Sequence, residues 1–218
     1  MELDKNLIKF NKELFEEKSI KKGDESFDKL MFIYSSAIKE LEVKINIMKE
    51  QFKYFYNYNL INNVTSRVKK PDSIIKKMKK KNYELTYKDM IEKVNDVAGI
   101  RIICPLKQDI FIVKEMIKNF TNCTIVKEKD YITNPKKSGY SSYHLIVELP
   151  VNLGQSVFPV KVEIQICTMA MEFWSNLEHE IKYKPTTKKV SKKVSKELIA
   201  CAQMINKLDD RMMRIYNN

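Results

Sequence analysis

The segment 160–166, Val-Lys-Val-Glu-Ile-Gln-Ile, alternates apolar and polar residues with a period of two. It predicts a strand with Val160, Val162, Ile164 and Ile166 on one face and Lys161, Glu163, Gln165 and Cys167 on the other. A sheet with an apolar back follows, and its polar front either meets solvent or carries a site. Other stretches show a helical period. Leu3, Leu7, Phe10, Leu14 and Phe15 predict a modest amphipathic helix over 3–21, interrupted by Gly23 and Asp24. Ser26 then stands where it can cap a longer helix, in which Phe27, Leu30, Met31, Tyr34, Ala37, Ile38, Leu41, Ile45, Met48 and Phe52 recur at three and four. The aromatic end of that helix (Phe52, Tyr54, Phe55, Tyr56, Tyr58) is either a core layer or a subunit contact.

Further along, Pro71 pushes Lys70 into an extended conformation, and Asp72 or Ser73 can cap a lysine-rich helix. Arg67 and Lys69 precede it in a predicted loop. With Lys77 and Lys80 and the amides at the helix start, they form either a polyphosphate socket or a solvated basic face. The stretch 95–105 reads as a short strand stopped by Pro105, with Asp96 at its mouth, Arg101 and Ile103 on one face, and Ile100, Ile102 and Cys104 on the other. Gly99 permits close approach of a neighbour or ligand. A helix over 109–119, a small strand around 124–126, and a loop over 130–144 with turns at Asn134-Pro135 and Ser138-Gly139 come next. Ser142, His144 and Ile146 share one face of the following strand. That strand, 145–149, joins the central one through a connection over 150–159. Ala170, Phe173, Trp174, Leu177 and Ile181 predict an apolar helical stripe. A basic surface loop over 185–196 and a closing helix carrying Val194, Leu198, Cys201, Ala202, Ile205, Leu208, Met212 and Ile215 complete the chain.

Composition narrows the partners. The 218-residue chain is 44% hydrophobic, enough for one domain with a substantial core, and its net charge of +12 calls for a polyanion: nucleic acid, an acidic membrane surface, or a phosphate-rich small molecule. Four scattered cysteines without a CxxC pair suggest neither a disulfide framework nor a zinc knuckle, and a reducing cytoplasm is expected. No apolar run approaches membrane-spanning length, so no membrane partner is expected. Asp96 and Glu163 are placed to share a magnesium ion with substrate phosphates, since hard cations favour carboxylate oxygens. The absence of a Walker loop or dinucleotide fingerprint disfavours P-loop and Rossmann chemistry. Two histidines cannot assemble a histidine-rich hydrolase metal site.

The segments Ser66-Arg67-Val68-Lys69, Asp96-Val97-Ala98-Gly99-Ile100-Arg101, Lys137-Ser138-Gly139-Tyr140-Ser141-Ser142-Tyr143-His144 and Val162-Glu163-Ile164-Gln165-Ile166, with Phe173-Trp174 and Leu177-Glu178-His179, resemble the synthetase domain of RelA/SpoT-type alarmone synthetases, in its small single-domain branch. The resemblance implies an α+β fold: a nucleotidyltransferase-like mixed β-sheet flanked by helices, with extra N-terminal and C-terminal helices. A single (p)ppGpp synthetase domain spans 1–218, with N-terminal helices over 1–60, a catalytic core over 61–184, and a basic loop and C-terminal helix over 185–218.

The implied activity is magnesium-dependent transfer of pyrophosphate from ATP to the 3′-hydroxyl of GTP, GDP or GMP, giving AMP and an alarmone of the stringent response. By the same resemblance Asp96 and Glu163 bind magnesium, Glu163 also taking the hydroxyl proton. Arg67, Lys69, Ser73, Lys77, Lys80 and Arg101 hold ATP; Tyr140 stacks on guanine, and Lys129, Lys137, His144 and Gln165 hold the acceptor. A cytoplasmic homotetramer regulated by (p)ppGpp or single-stranded RNA is implied as well. The sequence departs from the family at Cys167, where arginine is usual, and at Ser141, where arginine or glutamine is common. Loss of charge there bears on the acceptor's phosphate number. Two other readings fit the charge: a related pyrophosphotransferase acting on tRNA, and a non-catalytic RNA-binding module.

Overall fold

The structure, a computed structural model, describes residues 25–183 and 191–218, together with Leu7, Lys9, Phe10, Ser19 and Ile20. Most of the predicted 3–21 helix lies outside the described residues, although Leu7, Lys9 and Phe10 are helical. The elements are α1 (Glu25–Tyr56), β1 (Asn63–Val68), α2 (Pro71–Lys80), α3 (Tyr87–Lys93), β2 (Ala98–Cys104), α4 (Lys107–Lys118), β3 (Thr124–Asp130), β4 (Tyr143–Leu153), β5 (Ser156–Thr168), α5 (Met169–Tyr183) and α6 (Lys192–Tyr216). The five strands form one mixed sheet in the order β1-β2-β5-β4-β3, in which only β2 and β5 run parallel.

The alternation in β5 is realised: Val160, Val162, Ile164 and Ile166 are buried, while Lys161, Glu163 and Gln165 are half-buried on the other face. Helices α1 and α4 cover the apolar back. Leu30, Ile33 and Tyr34 of α1 share a crevice with Phe158 and Val160, and Phe111 of α4 meets the Tyr143 ring edge-on. This helix-on-sheet layer contains most of the core. The front face is left for chemistry.

Several boundaries differ from expectation. Arg67 belongs to β1, whose amides pair with β2, and not to a loop. Lys70, whose side chain makes no capping bond, is the N-cap of α2, because Pro71 takes the first helical position and leaves Asp72 and Ser73 inside the first turn. Likewise α1 already contains Glu25, so Ser26 lies inside its first turn. The short helix α3 was not anticipated; the Thr86 hydroxyl caps it by accepting from Asp89 N. Strand β3 runs on to Asp130, so Lys129 is on a strand. The hairpin turn is only Gly154-Gln155, with Gly154 at φ 58°. Pro150 and Pro159 face each other across this ribbon, where, among the described residues, neither strand has another strand beside it, so their missing amides break no ladder bond there.

In α5, Met171 and Trp174 point inward, whereas Phe173, Leu177 and Ile181 are exposed. The helix is apolar on two sides, and of the predicted stripe Trp174 is buried while periodicity alone did not separate it from its exposed neighbours. Residues 192–196, expected as loop, open α6, with the Ser191 hydroxyl capping it; residues 184–190 lie outside the described part. At the end of α1, Tyr54, Phe55 and Tyr56 are exposed and form no core layer in the single chain. Among the described residues, no helix is long and apolar enough to cross a membrane.

Candidate active site

Sheet register builds the front face in two rows. Arg67, Gly99, Glu163 and Ile146 lie side by side across β1, β2, β5 and β4; Thr65, Arg101, Gln165, His144 and Lys129 form the next row, reaching β3. Opposed residues on neighbouring strands share a face, so residues far apart in the chain meet because of pairing alone. Gly99 contributes no side chain, and the two rows open into a cleft of about 140 Å³ lined by Thr65, Ser66, Arg67, Asp96, Gly99, Arg101, Glu163 and Gln165. An added Cβ at Gly99 would come only within 3.8 Å of the Glu163 carbonyl oxygen, an ordinary contact, so the glycine leaves room for a ligand and does not relieve a clash.

Asp96, in the turn before β2, places its carboxylate at the rim. Lys69 Nζ lies 2.6 Å from Oδ2, and Lys77 Nζ, from α2, lies 2.8 Å from Oδ1. Lys69 is itself fixed by its amide, which donates to the Val97 carbonyl at 2.7 Å. Burial raises the Asp96 carboxyl, but the two ammonium groups outweigh it and hold the group below the usual carboxylate range. Ser73 and Lys80, on α2, are exposed beyond this pair.

Glu163 sits where the halves of the cleft meet. Its Oε2 accepts from Gln165 Nε2 at 2.8 Å, and its Oε1 lies 3.2 Å from His144 Nδ1. Desolvation favours the protonated acid, yet His144 and Gln165 together hold the carboxyl below its usual range against the charge of Asp96. Because a carboxylate only accepts, Nδ1 of a neutral His144 carries the proton, and Nε2, 3.0 Å away, accepts from the Tyr140 hydroxyl. The Ser142 hydroxyl donates to Tyr140 at 2.9 Å. On the other side, Gln165 Oε1 accepts from Arg101 at 3.2 Å, and Arg101 reaches Asn176 and Glu172 on α5. His144 and Gln165 therefore position Glu163, Tyr140 and Arg101, while the Gln165 amide keeps a second N–H and a second lone pair for a ligand.

The 131–142 loop is tied down at its root. Ile132 and Thr133 amides donate to Asp130, the Ser141 hydroxyl donates to the Tyr131 carbonyl, and the Gly139 amide closes a turn on Lys136. Lys136 Nζ lies between two rings, 4.5 Å from the Tyr131 centroid and 4.4 Å from that of Tyr140, with His144 edge-on to both. Neither Tyr131 nor Lys136 was among the expected site residues; the adjacent pair Lys136-Lys137 gave no way to tell which lysine turns inward. Lys137 and Lys129 are exposed at the edge of this region, Lys129 opposite His144. The Cys167 thiol is buried, and desolvation pushes it up to about 12, so no charge stands at that position.

A mixed sheet whose open face carries two ionised acids, flanking cations and a ring-bearing loop defines a nucleotidyltransferase-like protein. Residues 66–188 match the family described as "Region found in RelA / SpoT proteins". The chain belongs to this family. It is 42% identical over 185 residues to the GTP pyrophosphokinase YwaC of Bacillus subtilis, covering 85% of this chain and 88% of that one. Its structure is similar to that of the small alarmone synthetase 1 of Bacillus subtilis bound to its product pppGpp, with a TM-score of 0.82, 36% identity, and coverage of 89% of this chain and 98% of that one. The same synthetase bound to AMPCPP is also similar, at a TM-score of 0.76 and 34% identity over 89% and 97% of the two chains.

Proposed function

We propose that this chain is an alarmone synthetase: it transfers the β,γ-pyrophosphoryl group of ATP to the 3′-hydroxyl of a guanine nucleotide and releases AMP. The observation that carries the reading is the placement of Glu163, which lies between a cationic half-cleft (Arg67, Lys69, Lys77, Arg101) and an aromatic loop (Tyr131, Tyr140). The GTP pyrophosphokinase activity for which YwaC is named, and the product and AMPCPP held by the similar synthetase, support the same donor and acceptor.

In this reading the cations clamp the triphosphate and cancel its charge, which such transfers need more than covalent help. Tyr140 offers a flat face to guanine, from which Lys136 withdraws to meet the acceptor's phosphates or base edge. Lys129 and Lys137 hold the outer phosphates, and Ser73 and Lys80 flank ATP. The acceptor oxygen attacks the β-phosphorus, the bond from that phosphorus to the α,β-bridging oxygen breaks, and the 3′-hydroxyl proton passes to Glu163, oriented by His144 and Gln165.

Two ionised carboxylates on one cleft, Asp96 and Glu163, suit magnesium, which takes few protein oxygens and fills its shell with phosphate and water. When bound, that ion supplies charge neutralisation for the transferring group. Assembly as a cytoplasmic homotetramer, through the exposed aromatic end of α1 and the apolar side of α6, and regulation by (p)ppGpp or single-stranded RNA, belong to this proposal. So does the choice of acceptor, which the neutral Cys167 leaves to be set by Lys129, Lys136 and Lys137.

The test is product analysis with labelled ATP and GMP, GDP, GTP or bulk tRNA, with and without a chelator. Labelled guanine nucleotide plus AMP, lost on chelation, is expected. Label found only in RNA rejects the reading in favour of a tRNA-modifying enzyme.

A further inference from the structure

The turn that presents Tyr140 is not held only by its own strands. Its far side rests on the C-terminal helix: a Cβ added to Gly139 would lie 2.5 Å from the Ala202 Cβ and 3.5 Å from the Trp174 ring, and Gly139 has φ +92°. There is no slack at this joint. The helix that supplies Ala202 is fixed in depth by polar bonds along its length: Trp174 Nε1 donates to the Leu198 carbonyl at 2.8 Å, the Thr168 hydroxyl donates to Asp209 at 2.7 Å, and Lys107 Nζ lies 2.8 Å from Asp210. Thr168 ends β5, five residues beyond Glu163, so helix and catalytic strand share one anchor. Beside the contact a small cavity of about 70 Å³, lined by Pro135, Ser141, Met171 and Ile205, leaves the turn a little room to tip if the contact changes.

We propose that Ala202 is a positioning residue for the acceptor nucleotide: through Gly139 it sets the height at which the Tyr140 ring meets the base and its hydroxyl meets His144. This rests on the reading of the 131–142 loop as the acceptor site. The C-terminal helix is thus part of the acceptor pocket's wall, although none of its side chains lines the cleft.

Ala202→Leu overfills the joint and should raise the GDP KM about tenfold, with the ATP KM within about twofold and the melting temperature lowered by about 2–12 °C. Ala202→Gly, which cannot overpack, should raise the GDP KM by a smaller factor and decides the matter if the leucine variant does not fold. Cys201→Ser, on the exposed side of the same turn, is the control and keeps both constants. Trp174, the single tryptophan of the chain, gives a readout free of turnover. Titration with GDP should change its emission, and the midpoint should move with the GDP KM in both Ala202 variants.

Unchanged GDP constants in both variants, or GDP and ATP constants rising in step, would overturn the proposal. The parent reading fails separately: Tyr140→Ala with an unaltered GDP KM removes the acceptor site itself, whatever Ala202 does.

Discussion

On the β1–β2 side of the cleft the charged groups are cations on regular elements or, for Lys69, in the two-residue link between β1 and α2, and two of them, Lys69 and Lys77, are already paired with Asp96. On the β3–β4 side they are rings and lysines on an irregular loop, braced from behind by another helix. The first half is set by hydrogen-bonded register and charge, and needs no bound ligand to keep its shape. The second is set by packing, with Lys136 lying on the ring faces that a base would use. One half therefore suits charge held at fixed points, as in a triphosphate, and the other suits a flat surface. Glu163, tied to both through Gln165 and His144, belongs to neither.

That contrast can be broken by substitution. Glu163→Gln keeps the size and most hydrogen bonds of the side chain, so it should leave both nucleotide affinities within a few-fold while lowering kcat by about 10²–10⁴. Equilibrium binding beside single-turnover rates checks this, and a full rate in the variant would remove Glu163 from the chemistry. Asp96→Asn should act on the ATP side alone, lowering kcat/KM for ATP on the order of 100-fold and weakening the dependence on magnesium, with GDP affinity preserved. Tyr140→Ala should do the reverse. Loss of one base–aromatic stack raises the GDP KM by roughly 5- to 150-fold, at constant ATP KM. Parallel losses for both substrates in either variant would mean that the two halves do not act separately.

The smallest effect sharpens the comparison away from the cleft. Asp96 and Glu163 are held below the usual carboxylate range, so they contribute stability above their unfolded values and lose it as pH falls through the folded ones. Asp209, raised by burial, has the opposite sign: its charge costs stability at neutral pH, and the cost vanishes below its ordinary value. Asp209→Asn keeps an acceptor for Thr168 and should raise the melting temperature at pH 7 by about 2–4 °C, for roughly 1 kcal/mol, with the gain shrinking toward pH 4. Melting curves across that range check it.

The cleft was legible in the chain where a residue's place follows from alternation. Once β5 is a strand, Glu163 and Gln165 must share its front, and the same holds for Arg101 on β2 and for His144 on β4. What the residues do there was less legible. His144 and Gln165 read as ligand groups, yet both are turned inward to Glu163, because the register that sets them side by side follows from strand order, which period-two patterning does not encode. Lys136 and Tyr131 were overlooked for a related reason: an irregular loop has no period to say which side chain points in. The Gly139–Ala202 contact left no trace at all, since a glycine in a turn and an alanine in a helix are each ordinary until the fold presses them together. The two-sided apolar pattern of α5 misled in part: Trp174 is buried, Phe173, Leu177 and Ile181 are not.

The facing prolines at the far end of the β4–β5 hairpin have a consequence for solubility. That ribbon projects past the rest of the sheet, and bare strand borders of this kind invite other chains to add on and start aggregates. Pro150 and Pro159 remove one donor from each border at the same level, so an incoming strand finds its ladder interrupted on either side. The extension can stand clear of the sheet without becoming a template for edge-to-edge growth.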